Sequence, residues 1–137
     1  METTVAAILR RKAYQVTVVR AADRIGDVVR AISAGQGDAA LVVDACGQLL
    51  GVLAESDIVE SLAVNAARTL EMSAGQLAVG VTQTVHPRTS LREAAHTMIE
   101  GQLRHVPVVC CGEPVGLISL ADVARARLIQ EQATVAA

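Results

Sequence analysis

The sequence predicts an α/β (α+β) fold made of two β-α-β-β-α repeats, packed sheet to sheet with pseudo-two-fold symmetry. Three observations carry this expectation. Apolar residues recur at helical spacing twice, 66 positions apart. Each such stretch is followed by two short aliphatic runs joined through a Gly-containing turn. A unit of ~55 residues is too small to bury both faces of its own sheet, so two copies must cover each other.

The elements follow in order. An apolar helical lead-in is expected over 5–9 and a short strand over 15–19. Ile25, Val28, Val29 and Ile32 fall at i, i+3, i+4 and i+7, one face of a helix. Leu91, Ala94, Ala95 and Met98 repeat the pattern, with Ser90 and Glu93 spaced as a capping box. Gly35 and Gly101 stand where each helix should stop. The hairpins are expected from Ala40–Val43 with Leu49–Leu53, and from Val106–Val109 with Pro114–Ile118. The second turn is one residue shorter, so Gly51 matches Gly116 and Asp57 matches Asp122 at an offset of 65. Helices over 56–63 and 121–129 close the copies, and a further strand over 81–85 opens the second. These readings divide the chain into a first repeat (4–64), a linker (65–72), a second repeat (73–130) and a tail (131–137).

Composition narrows the class. The chain has 137 residues, 52% of them hydrophobic, yet Tyr14 is its one aromatic side chain. The core must therefore be made of Val, Ile, Leu and Ala. So aliphatic a chain is not a disordered one. Its unbroken apolar stretches of about five residues are far short of the ~20 that span a bilayer. A net charge of −2 gives no electrostatic case for nucleic acid, and without aromatics there is no stacking platform for single strands. No charged-then-apolar leader is apparent, so a cytoplasmic location is expected. The adjacent Cys110 and Cys111, with Cys46, do not supply metal-ligand spacing, and an odd count points to reduced thiols. His86, His96 and His105 give no sign of common coordination. No catalytic triad, paired-carboxylate or phosphate-loop pattern is present, and Gly35-Gln36-Gly37 alone is no dinucleotide fingerprint. No enzyme activity, metal or cofactor is expected.

The order of elements, with Gly-h-h-x-x-x-Asp closing each hairpin, resembles a pair of cystathionine-β-synthase (CBS) domains, a Bateman module. The second copy carries it in Leu103-Arg104-His105-Val106-Pro107-Val108-Val109 and Gly116-Leu117-Ile118-Ser119-Leu120-Ala121-Asp122-Val123. The first has Ala40-Leu41-Val42-Val43-Asp44 and Gly51-Val52-Leu53-Ala54-Glu55-Ser56-Asp57. With Ile8-Leu9-Arg10-Arg11-Lys12 near its start, the chain is similar to small stand-alone bacterial two-CBS proteins.

The resemblance implies regulatory binding of an adenosyl ligand such as AMP, ADP, ATP, NAD or S-adenosylmethionine, without catalysis. It further implies a homodimer and a client protein that the sequence does not name. Carried onto this chain, Asp122 would hold the ribose hydroxyls and Ser119 the ribose or phosphate end. Thr84 would support the same ligand, and backbone groups of Val106 and Pro107 would meet the adenine edge. Arg104 and His105 precede that strand, where phosphate would lie. A carboxylate accepting two vicinal hydroxyls suits ribose, and a guanidinium fork suits phosphate. In the first copy Asp57 keeps the carboxylate, but Ala54, Val18, Asp38 and Ala39 replace the other polar positions, so its site is expected to be weak or vestigial.

Plainer readings stand beside these. Asp57 and Asp122 fall at helix starts, where a carboxylate caps amides without any ligand, and Ser119 can do the same. Arg104 and His105 fit a solvated strand start. The alternatives are therefore a structural or protein-interaction module with degenerate sites and, less directly, a redox sensor using Cys110 and Cys111.

Overall fold

The computed structural model describes residues 3–12, 16–35 and 37–136. Tyr14, Gln15 and Gln36, which figured in the sequence reading, lie outside them. The chain forms two compact units, one of residues 14–82 and the other of residues 1–13 together with 83–137.

The first unit carries a four-stranded sheet. Strand β1 (Thr17–Arg20) runs parallel to β2 (Ala39–Val43), which pairs antiparallel with β3 (Leu49–Ala54), and β3 with β4 (Val79–Gly80). Helix α2 (Ile25–Ala34) buries Ile25, Val28 and Ile32 against this sheet, while Val29 stays partly exposed at the margin of the face. Helix α3 (Glu55–Asn65) follows β3 without a break, and residues 66–71 turn into a 3-10 helix whose buried Thr69 Oγ1 lies 2.8 Å from Ser61 Oγ of α3. Helix α4 (Ala74–Leu77) closes the unit.

The second unit repeats the plan with fewer strands. Helix α1 (Val5–Arg11) and α5 (Leu91–Glu100) pack with the antiparallel pair β5 (His105–Cys110) and β6 (Glu113–Ser119), and α6 (Leu120–Ala136) ends it. The strand expected over 81–85 does not form, and residues 81–84 take no strand structure. Val79–Gly80 pairs in the first unit, while Val85 forms only a parallel bridge to Val108 in the second. The chain passes from one unit to the other between residues 82 and 83, so no continuous strand can form there.

Hydrogen bonds repeat with the sequence. The Val85–Val108 bridge lies 66 positions after the Val19–Val42 pair, and the ladders are irregular after Val42 and after Val108. In the first unit Ala74 N–H donates to Asp23 O and Gly75 N–H to Ala21 O; in the second, Val5 N–H donates to Thr89 O and Ala6 N–H to Pro87 O. The start of α1 thus does for the second copy what the start of α4 does for the first. The Ser90–Glu93 box is half formed. Ser90 Oγ accepts the Glu93 N–H at 3.1 Å, whereas the Ser90 backbone bridges to Thr4.

The hairpin tips differ as their lengths require. Asp44 Oδ1 accepts the N–H groups of Cys46 and Gln48, with Gly47 at φ +82°. The shorter second turn places Cys111 and Gly112 both at positive φ (57° and 79°), as a two-residue hairpin demands. The matched glycines Gly51 and Gly116 leave room for the lead-in segments. A Cβ on Gly51 would stand 2.6 Å from Val79 O, and one on Gly116 would stand 2.8 Å from Leu9 Cδ2.

These two contacts give a paired prediction. Gly51→Ala meets a backbone carbonyl that cannot move without breaking β3–β4, and should cost about 1–3 kcal/mol. Gly116→Ala meets the end of a flexible side chain and should cost less. Urea midpoints of the two variants check the ranking; equal losses would contradict it.

Candidate functional site

The carboxylate of Asp122 is where the second unit gathers its polar groups. Strands β5 and β6 end with His105 opposite Ser119, and Leu120 N–H donates to Arg104 O, which fixes the start of α6 beside the start of β5. Ser119 is the residue before the helix. Its N–H donates to Asp122 Oδ2 at 2.8 Å, and its Oγ accepts the Asp122 N–H at 3.0 Å, a reciprocal capping box. The carboxylate is thus held from below by the backbone of its own helix.

A second partner comes from the other end of the sequence. Lys12 Nζ donates to Asp122 Oδ2 at 2.9 Å and to Leu117 O at 2.7 Å. The side chains are 16% and 7% exposed, so this ion pair is largely withdrawn from water. Arg125 Nη1 lies 3.7 Å from the other oxygen, Oδ1. Burial alone would push the carboxyl up from its ordinary value of 3.8. The Ser119 N–H, the Lys12 ammonium and the Ser119 hydroxyl together outweigh that, and the net direction is down. Asp122 is accordingly an ionised carboxylate at neutral pH.

The other residues of the second copy are placed as follows. Arg104 is exposed, and His105 is partly buried as the first residue of β5. Val106 and Pro107 are buried in the strand, Val106 within the core and Pro107 O accepting the Val85 N–H at 3.0 Å. Thr84 is exposed immediately before Val85. The structure joins Asp122, Ser119, His105 and the Arg104 backbone at one end of the β5–β6 pair; Thr84 enters only through its neighbour's bridge.

Lys12 and Arg125 were not anticipated as neighbours of Asp122. Arg125 carried a local signal, since it stands three residues after Asp122 on one helix face. Lys12 carried a compositional one. It is the single lysine among the 12 basic residues of the chain.

Asp57 is built differently. Its Oδ2 accepts the Ala54 N–H at 2.8 Å, but Ala54 has no hydroxyl to return the bond. No ion pair to it is found among the described residues. The position 69 residues after Lys12, the same step that relates α1 to α4, is Val81.

Other candidate groups are accounted for locally. His86 Nδ1 accepts the Arg88 N–H at 3.0 Å within its turn. Among the described residues, no three His, Cys, Asp or Glu side chains are grouped to hold a metal ion. Cys110 Sγ and Cys111 Sγ are 3.7 Å apart. A hydrogen bond with Cys111, together with burial, pushes the Cys110 thiol up, which works against a reactive thiolate. No described helix is long and apolar enough to cross a membrane.

Two copies of an α-β-β-α plan, each placing a carboxylate at the first turn of its closing helix, define a tandem-repeat module. The sequence pattern of the CBS domain matches residues 5–64 and 81–129, and the chain belongs to that family as a two-CBS protein. A CBS-domain containing protein from Agrobacterium tumefaciens is 31% identical with a TM-score of 0.82, over 93% of this chain and 95% of that one. The mitochondrial CBS domain-containing protein CBSX3 of Arabidopsis thaliana is 27% identical over 76% of this chain, which spans about half (52%) of that relative's length. Two further structures share the fold. CBSX2 in complex with AMP has a TM-score of 0.70 at 23% identity, covering 94% of this chain and 98% of that one. The CBS domain pair of protein MJ0100, in complex with 5′-methylthioadenosine and S-adenosyl-L-methionine, has 0.80 at 21%, covering 95% and 99%.

The ion pair generates a pH prediction. Asp122→Asn leaves Lys12 largely buried beside a neutral amide, and should cost about 2 kcal/mol at neutral pH. The folded carboxyl titrates below its unfolded value, so its contribution is complete above the ordinary 3.8 and disappears as pH falls through the folded value. Urea denaturation of both proteins should show a gap that is widest near neutrality and closes in acid. A gap independent of pH would remove the ion pair from the explanation.

Proposed function

We propose that this chain is a regulatory module that binds an adenosyl ligand and reports its occupancy to a client protein. The observation that carries this reading is the buried, ionised Asp122, held in place by Ser119 at the end of β5–β6. Such a carboxylate can accept both ribose hydroxyls without moving. Ser119 would face the ribose or phosphate, backbone groups of Val106 and Pro107 the base, Thr84 the same ligand, and Arg104 and His105 the phosphate. Binding of AMP by CBSX2, and of methylthioadenosine and S-adenosylmethionine by the MJ0100 pair, supports an adenosyl ligand. AMP, ADP, ATP, NAD and S-adenosylmethionine are the candidate ligands. The site around Asp57, with Ala54 in place of the capping hydroxyl and no ion pair to Asp57 among the described residues, is the weaker of the two. In this reading the protein acts as a cytoplasmic homodimer and performs no chemistry of its own.

A second reading has its own observation. Every bond made by Asp122 is also what a helix cap paired with a lysine would make, so a structural or protein-interaction module remains the alternative.

Thermal melting separates the two readings. A ligand at a hundred times its dissociation constant adds about 2.7 kcal/mol to the folded state. AMP, ADP, ATP, NAD and S-adenosylmethionine should be tried singly, and at least one should raise the melting temperature. Asp122→Ala should abolish that rise and Asp57→Ala should retain most of it. The reverse pattern would move the site to the first copy, and no rise with any ligand would favour the structural module.

A further inference from the structure

We propose that Cys110 and Cys111 form a two-thiol site at the tip of the β5–β6 hairpin, which takes a trivalent arsenical through one arsenic atom bound to both sulfurs. The pair lies at the opposite end of these strands from Asp122, so this inference does not depend on the nucleotide reading.

The hairpin brings the thiols together. Cys110 pairs with Glu113 as the last rung of the ladder, and Cys111 and Gly112 make the turn. Along a regular strand successive side chains point to opposite faces, which would separate adjacent cysteines. The left-handed backbone of Cys111, at φ 57°, ends that alternation, and the two sulfurs lie 3.7 Å apart. Both can be reached from solvent, Cys111 being exposed and Cys110 partly so. The turn itself does not call for cysteine. Its first position favours Asn, Asp or Gly, and other side chains are strained there. The longer first turn, which holds Cys46, has its positive φ at Gly47 instead.

The spacing points to the occupant. Bonds of about 2.3 Å from one soft central atom, at angles of about 100–110°, put two sulfurs about 3.5–3.8 Å apart. A disulfide needs its sulfurs at about 2.05 Å and its Cα atoms about 4.4–6.8 Å apart, whereas adjacent Cα atoms are held at about 3.8 Å. One bridging atom therefore fits the pair with less rearrangement than an S–S bond. A structural zinc ion needs more ligands than a pair, and among the described residues no three His, Cys, Asp or Glu side chains are grouped to supply them. An arsonous acid, with one organic group and two hydroxyls on arsenic, needs two thiols and no more. The step is a condensation. Two As–O and two S–H bonds break, two As–S bonds form, and each thiol proton leaves with a hydroxyl as water. Arsenic stays trivalent, so no oxidant or reductant takes part. Thiols rather than thiolates are consumed overall, so the raised Cys110 thiol does not oppose the product.

Phenylarsine oxide, which hydrates to such an acid, is the probe. Native mass spectrometry of the reduced full chain should show one phenylarsenic group in place of two thiol hydrogens. The adduct should persist in Cys46→Ser and be lost in Cys110→Ser and in Cys111→Ser. Its survival in either of the last two would overturn the site.

Nearby thiols bind arsenic even on an unfolded chain, so folded and urea-unfolded protein must be compared. The folded chain should bind about tenfold tighter or more, and saturation should raise the melting temperature. Equal affinities would overturn a site preformed by the hairpin. Cys111→Asn separates loss of the thiol from loss of the fold. It suits the positive φ, so it should raise the urea midpoint while abolishing the adduct.

Discussion

A sheet of two strands cannot bury its own inner face, and β5–β6 with the single Val85 bridge is little more than that. The missing cover comes from the far end of the sequence. Helix α1 sets Val5 and Ile8 into the core of the second unit, hangs its first N–H groups on the carbonyls of Pro87 and Thr89, and lays Leu9 against the bare backbone of Gly116. With no phenylalanine or tryptophan to fill volume, the aliphatic core depends on this extra element. Closing the second unit therefore means bringing residues 5–12 to residues 85–123.

That closure decides what stands next to Asp122. Once α1 is seated, its last turn delivers Lys12 to the start of α6, where a capping carboxylate is already fixed. In the first unit the same packing is done by the four residues of α4, which ends before the position corresponding to Lys12. A shorter lead-in still covers the sheet but carries no cation to Asp57. The difference between the two carboxylates thus arises from the length of a packing helix as much as from the residues beside each aspartate. Ala54 in place of Ser119 then removes half of the capping box as well.

Much of the fold was legible because it is local. The i, i+3, i+4 spacing of Leu91, Ala94, Ala95 and Met98 describes a buried face, and all four are buried. The hairpins were legible for the same reason, since aliphatic runs flank short turns containing Gly47 and Gly112. What failed was non-local. The strand expected over 81–85 has the right residues, but the chain changes unit in its middle. The Lys12–Asp122 pair joins residues 110 positions apart, and no periodicity encodes such a contact. Asp122 itself was legible as a repeat of Asp57; its burial and its partner were not.

The choice of lysine at this one place has a physical reason. Everywhere else this chain uses arginine for positive charge, and arginine is the better residue for holding a planar anion from the surface. At residue 12 the acceptors include a backbone carbonyl and a carboxylate oxygen that is already bonded to an amide. A compact ammonium, with donors that rotate freely about the end of its stem, can meet both at 2.7 and 2.9 Å. A guanidinium would bring a rigid fork to an oxygen that already accepts an amide, while Arg125 lies 3.7 Å from the other oxygen, Oδ1. A group that must satisfy unlike acceptors in different directions is better served by a point charge on a flexible arm. The packing of α1 supplies the arm's root, and the capping box keeps its target still.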